Sequence, residues 1–405
     1  MTSKKNKQTS PGLLQGLWRK TRAKTRENFS EHPLWELWVD VITVTMLTLL
    51  LTWLLFDSDF SGNIFGTAAE IDTPELIDLY SASAHQTDVP RCSNITLLSI
   101  DGCSRREITA AMETLNGMEP LTIGVDVVFQ YPAEEDDALI NAIVNNDKIV
   151  MATIPSNGSY FEQALREQGT SFGSVVFNTS SRYDVVRSFL PAVLNETDTT
   201  WSFDILLARK AGATTGCFVP YNKQQYIAYS NLMMDTLYCL DLIDPSADLT
   251  AMAERVKDKI ILMGDLNALT DLHRTPIDAN MSGVMIHAYM LDTILRHDII
   301  RVSPDWLNWL IALIVCFVSS VAMLYFKWAY DDAEGLALRI TQLVLMILVV
   351  VLPGVACFWL CRWYFDFTPT FFALAIQAVV LDIWVGIMAI VLHLIKSVHS
   401  KKSKK

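Results

Sequence analysis
Six side chains in the middle of this 405-residue chain have the types and spacing for polar chemistry. Asp101, Asp126 and Asp265 each fall at or just past the end of a short apolar run, and Asp271, His273 and His287 follow the last of them. Open α/β sheets take ligands outside the C-terminal ends of their parallel strands, where carboxylates so placed would line one crevice. Carboxylate oxygens and imidazole nitrogens at this density suit a divalent cation or a small polar ligand. The competing role is structural, because Asp is favoured at helix N-caps and turns. Both roles are open to these residues, and ligand binding is the functional one of the two.

Catalysis finds less support. Gly264-Asp265 with Asp271-Leu-His273 has the look of a metal-dependent phosphoesterase. Such an enzyme needs several separate ligand clusters to acidify a bridging water, and no Gly-Asn-His element or Asp-x-His after the first strand supplies them. A phosphate-binding Gly-Lys-Ser/Thr loop and His-Glu-x-x-His are also lacking. The expectation is a protein that is not an enzyme, with no resident metal and no cofactor. Cys92, Cys103, Cys217 and Cys239 are disulfide candidates in an oxidising compartment; four cysteines allow three pairings. The local pairing joins 92 to 103 and 217 to 239, although a strand between Cys92 and Cys103 would hold them far apart. Cys316, Cys357 and Cys361 lie in or beside apolar stretches and are expected to be free.

The elements that must position these residues read as strand and helix in alternation. Ile95–Ile100, Leu121–Phe129 and Lys148–Ile154 are apolar enough for buried strands. Ile108, Ala111, Met112 and Leu115 recur at helical spacing after Ser104, a predicted N-cap, and Ala138, Leu139, Ala142 and Ile143 do so after Asp136. Val175–Phe177, Val185–Phe189 and Gln225–Tyr229 read as further strands, Trp201–Arg209 as a helix, Lys259–Met263 as a strong strand and Val284–Arg296 as a helix. This order predicts an α/β domain with a mostly parallel sheet.

Composition places that domain beside a membrane. The chain is 51% hydrophobic with a positive mean hydropathy, too apolar for an ordinary soluble protein. Four stretches, residues 37–56, 306–326, 338–360 and 369–395, are long enough to cross roughly 30 Å of hydrocarbon as helices. Trp35, Trp38 and Trp53 flank the first, which has no following small-residue cleavage site and reads as an uncleaved anchor. The net charge of −12 is uneven: residues 57–305 carry more than twice as many acids as bases, whereas the tails, 1–36 and 396–405, are basic. Lys/Arg excess marks the cytoplasmic side. Both termini and the 327–337 link are therefore expected inside, with the 361–368 link and residues 57–305 extracytoplasmic. The basic tails would also meet anionic lipid, and the acidity of the remainder excludes nucleic acid. Sequons at Asn94, Asn157, Asn178, Asn195 and Asn280 all fall on the outer side. Of two intramembrane acids, Asp40 is near an interface, while Asp382 sits mid-span, where a carboxylate needs a partner or water.

Three blocks in order carry a family resemblance: LLSIDGCSRREI at 97–108, IGVDVVFQYPAEEDDALINAI at 123–143 and KIILMGDLNALTDLHRTPIDANMSGVMIHAYMLDTIL at 259–295. Residues 174–191 and the WSFDILLARKAG that follows match more loosely. The chain resembles the type-two CHASE domain, the cyclase/histidine-kinase-associated sensory extracellular domain, and one span before the domain with three after it is that family's habit. Cys103-Ser-Arg-Arg-Glu stands where the family pattern has a Trp-Pro-Arg-like segment. The resemblance implies a sensor in a bacterial inner membrane. Its relatives continue into a cyclase, kinase or phosphodiesterase-like module, whereas this sequence ends about ten residues past its fourth span. The expected function is reception of an outside signal, ligand or protein, and its passage through the helices to a separate output protein. The alternative is a structural or transport-associated membrane subunit in which Asp382 lines a path.

Overall fold
The computed structural model describes residues 34–56, 76–154, 159–179, 185–194, 199–218, 221–329 and 332–402. The basic N-terminal tail, Asn157 and Asn195 lie outside these, as do the side chains of Cys92 and Asn178. Asn94 and Asn280 are exposed. The chain divides into two units, one of residues 70–301 and one of residues 1–69 with 302–405.

Among the described residues the first helix, α1 (Leu34–Phe56), belongs to the second of these units, and the first element of the α/β domain is α2 (Leu76–Thr87). There follow β1 (Arg91–Ser99), α3 (Arg105–Asn116), β2 (Thr122–Asp126), α4 (Asp136–Val144), β3 (Ile149–Thr153), α5 (Tyr160–Glu167) and β4 (Ser171–Ser174). After short antiparallel pieces, β5 (Asn178–Thr179) to β8 (Thr199–Trp201), come α6 (Phe203–Lys210), β9 (Gln225–Tyr226) and β10 (Leu232–Tyr238). The unit closes with α7 (Cys239–Ile243), α8 (Leu249–Val256), β11 (Ile260–Gly264), a β12–β13 pair (Leu272–His273 with Met281–Ser282) and α9 (Gly283–Arg296).

Six strands form one parallel sheet in the order β10-β1-β11-β2-β3-β4. Both faces are covered, which is why the strands read as unbroken apolar runs and not as alternation. Ile95, Leu97, Ile260 and Leu262 pack under α6 and α9, while Leu98, Ile123, Val125, Ile261 and Met263 pack under the layer that includes α3 and α4. Local chemistry starts the helices. Ser104 accepts the Glu107 N–H and Glu107 accepts the Ser104 N–H, a reciprocal capping box at the predicted N-cap of α3. Gly173 brings β4 against α6, since a Cβ there would run into the backbone of Phe203.

Several elements differ from the sequence reading. Val175–Phe177 is irregular and the strand lies just before it at β4, because the β3 neighbour pairs with Ser171–Ser174. Trp201 ends β8, and the helix starts at Phe203 once Ser202 caps it. β10 escaped the reading: an edge strand buried mainly at Leu237, its Asp235 and Thr236 break the apolar pattern.

The second unit holds α1, α10 (Asp305–Ala329), α11 (Asp332–Cys361) and α12 (Thr368–Lys402). Each contains a stretch long and apolar enough to cross a membrane: Trp35–Leu55, Asp305–Lys327, Ala337–Cys361 and Thr368–Val391. Polar side chains join them where apolar packing gains little over lipid. Thr45 meets Ser320 at 3.0 Å, and the Gln377 amide donates to Ser320 Oγ (2.6 Å) and the Cys316 carbonyl (2.7 Å). Asp40 accepts the Trp384 indole N–H at 2.8 Å. Asp382 is held by Lys327 at 2.9 Å and Arg339 at 3.3 Å.

Candidate functional site
The six predicted site residues separate into two groups along the C-terminal edge of the sheet. The strand register explains the edge: Ser99 of β1 pairs with Gly264 of β11, and Gly264 with Asp126 of β2.

Asp101 and Asp265 form the first group. Asp101 accepts the Leu266 N–H at 2.8 Å and the Asn267 side-chain amide, and Asp265 accepts the Asn267 N–H at 2.8 Å. The two carboxyls also bond each other. Burial opposes charge on Asp101, but the hydrogen bonds from Asp265, Leu266, Asn267 and Ser99 outweigh it and hold that carboxyl below its ordinary value. Burial, and then the bond to Asp101, push the Asp265 carboxyl up. Of the two, Asp265 keeps its proton to the higher pH. This pair fixes the turn after β11.

The second group is Asp126, Asp271, His273 and His287, and it includes a residue that the sequence did not single out, Asp204. Asp204 is fully buried in the first turn of α6, and its Oδ2 lies 2.9 Å from Nδ1 of His287, which is 1% exposed on α9. Its other oxygen, Oδ1, is buried with no hydrogen-bond partner. Aromatic rings wall the imidazoles: Phe177 lies 4.9 Å from both His273 and His287, and Phe203 5.4 Å from His287. Burial works against a charged His287, yet Asp204 and Asp126 overcome it and raise the imidazole to about 9. Asp126, half-buried at the end of β2, is pushed up to about 6 by desolvation, against the pull of His287. Asp204 left no sequence signal because an acid early in a helix is favoured by the helix dipole alone.

Asp271 serves structure. Its Oδ2 accepts the N–H of Gly283, the first residue of α9, at 3.2 Å, and its Oδ1 meets His273 Nε2 at 3.2 Å. Ser282 stands at the N-cap but makes no side-chain cap bond. A Cβ on Gly283 would fall 2.5 Å from the Asp271 carboxylate, so this cap requires glycine there. Among the described residues, no three His, Cys, Asp or Glu side chains converge so as to hold a metal ion.

Cys103, Cys217 and Cys239 are free thiols. Cys217 is exposed with its Sγ 3.2 Å from Nδ1 of His297. Cys239 packs in the same buried cluster as Cys103, because the sheet, not sequence proximity, brings the ends of β1 and β10 together. Cys316, Cys357 and Cys361 are free as expected.

A family model for the CHASE2 domain matches residues 87–322, more than half of the chain. The chain belongs to the CHASE2 domain family. This is a family of sensory extracellular domains. The matched region covers the whole CHASE2 sheet and runs into α10. No match was found among curated proteins or among solved structures.

Proposed function
We propose that the CHASE2 unit receives a signal outside the membrane and passes it through the helical unit to a separate output protein. The observation that carries this reading is the buried Asp204–His287 pair with the half-buried Asp126 beside it, a set of charges inside the domain with one carboxylate oxygen unmatched. A ligand that donates a hydrogen bond to that oxygen competes for the carboxylate that partners His287 on α9. From α9 the chain enters α10 after a short link, 297–304. The basic tails and the 327–337 link mark the cytoplasmic face, with both termini inside a bacterial inner membrane.

The transport-associated alternative gains nothing from Asp382. That carboxylate is neutralised by Lys327 and Arg339, which gives it a role in joining three helices.

Two measurements test the proposal. An impermeant maleimide applied to intact cells should label the exposed Cys217 in a Cys361→Ser background; labelling only after lysis would refute the outward placement. Cross-linking in native membranes followed by purification should recover a kinase, cyclase or other regulator, and Asp204→Asn should alter that partner's output while Asp382→Asn leaves the response to signal intact. Recovery of the chain by itself under every condition would refute the transfer of signal.

A further inference from the structure
β1 and β10 are parallel neighbours whose last paired residues are Ser99 and Tyr238. Beyond that point each strand delivers a cysteine to the same corner. From β1 the chain turns through Ile100–Cys103, closed by the Cys103 N–H on the Ile100 carbonyl at 2.9 Å and permitted by the positive φ of Gly102 (71°). Cys103 thus stands immediately before the capped start of α3. Beyond β10 the very next residue, Cys239, opens α7, which packs against α3. Cys239 is fully buried with Leu237 and Leu242, and Cys103 packs on the same cluster from its half-exposed side. The Cys103 Sγ also points to the Asp101 carbonyl, at 3.9 Å.

We propose that Cys103 and Cys239 are a disulfide-forming pair, joined by exchange with the disulfide of a thiol–disulfide oxidoreductase on the outer side of the membrane. The proposal rests on the outward placement given above for its setting, and on the geometry of the corner for its chemistry. Disulfides need paired Cα atoms a few ångströms apart, and two hydrogen-bonded neighbouring strands here lead both cysteines into one packed cluster. Cys103, the accessible member, gives its proton to solvent and attacks one sulfur of the oxidoreductase disulfide, whose other sulfur leaves as thiolate. Cys239 then loses its proton and attacks Cys103 in the mixed disulfide, expelling the second thiolate. Two thiols have lost two electrons and two protons, and the oxidoreductase disulfide has gained both. Burial raises the pKa of both thiols, which makes uncatalysed exchange slow at neutral pH and a catalysing protein the appropriate oxidant. The bond ties the start of α3 to the start of α7, two residues from the Asp101–Asp265 pair, and removes the thiol that faces the Asp101 carbonyl.

The test uses the detergent-purified full chain carrying Cys92→Ser, so that the segment between Arg91 and Arg105 holds one cysteine. Treatment with oxidised glutathione, acid quenching, maleimide blocking and tryptic mass spectrometry should yield the Cys103 and Cys239 peptides as one linked species, lost in Cys103→Ser and in Cys239→Ser and kept in Cys217→Ser. The linked species in the otherwise unaltered chain is read without either of the first two variants, so their failure to fold would not spoil the test. Both thiols remaining open to maleimide, or Cys239 linked to Cys217, would overturn the proposal. The same trapping on acid-quenched cells should find the bond already made. Cross-linking in detergent with both thiols free in cells would overturn it too, while Cys217 labelling decides the outward placement separately.

Discussion

Replacing Asp204 by Asn should uncover a charge-dependent contribution from the α6–α9 contact. Asp204 is wholly buried and His287 nearly so, with 2.9 Å between Oδ2 and Nδ1. The substitution keeps size and a hydrogen-bonding oxygen but takes away the negative charge. The rise of His287 from 6.5 to about 9 corresponds to roughly 3 kcal/mol at about 1.4 kcal/mol per tenfold change in proton affinity. That figure falls within the roughly 3–5 kcal/mol expected when a buried ion pair loses one member. The sign follows from linkage: a base whose pKa is raised on folding adds stability that is complete below pH 6.5 and is lost as pH climbs through 9. Urea unfolding of the full chain in detergent, followed by pulse proteolysis of the CHASE2 unit, should therefore show the Asp204→Asn protein weaker than the parent by up to about 3 kcal/mol at pH 6, Asp126 and Asp271 supplying the rest of the rise. The two should converge as pH passes 9. A gap of equal size at every pH would show that packing, not charge, is responsible; no gap at pH 6 would refute the reasoning altogether.

Asp126→Asn should behave in the opposite way. The Asp126 carboxyl is raised to about 6, so the parent loses stability as pH rises from 3.8 through 6, and the Asp126→Asn protein, spared this, should match it near pH 4 and exceed it by up to roughly 3 kcal/mol at pH 7 in the same assay. Asp78→Asn removes the two-bond carboxylate contact, 2.7 and 2.8 Å, to the buried Arg187, and should lower stability by about 3 kcal/mol in urea titrations at neutral pH. Gly173→Ala places a methyl against the Phe203 backbone, which cannot swing aside, and should cost about 1–3 kcal/mol, seen as a lower thermal midpoint of the CHASE2 unit.

Membrane crossings were legible in the sequence because lipid imposes a length and a polarity that a linear chain displays directly. The same holds for the central strands, whose burial on both faces demands the continuous apolar runs of Ile95–Leu98 and Ile260–Met263, and for the Ser104 cap, whose chemistry spans four residues. Properties that depend on residues distant in the chain were not. β10 is an edge strand and carries polar residues that hide it. Asp204 lies 83 positions from His287, and only the packing of α6 on α9 joins them. The three carboxylates read as lining one crevice divide because Asp101 and Asp265 engage each other at β1 and β11 while Asp126 turns to the α6–α9 face. Cysteine pairing follows the same rule: the parallel register of β1 on β10, not distance along the sequence, sets Cys103 beside Cys239. Composition and periodicity determine which segments must be buried, whereas only the tertiary structure decides which buried charges and thiols meet.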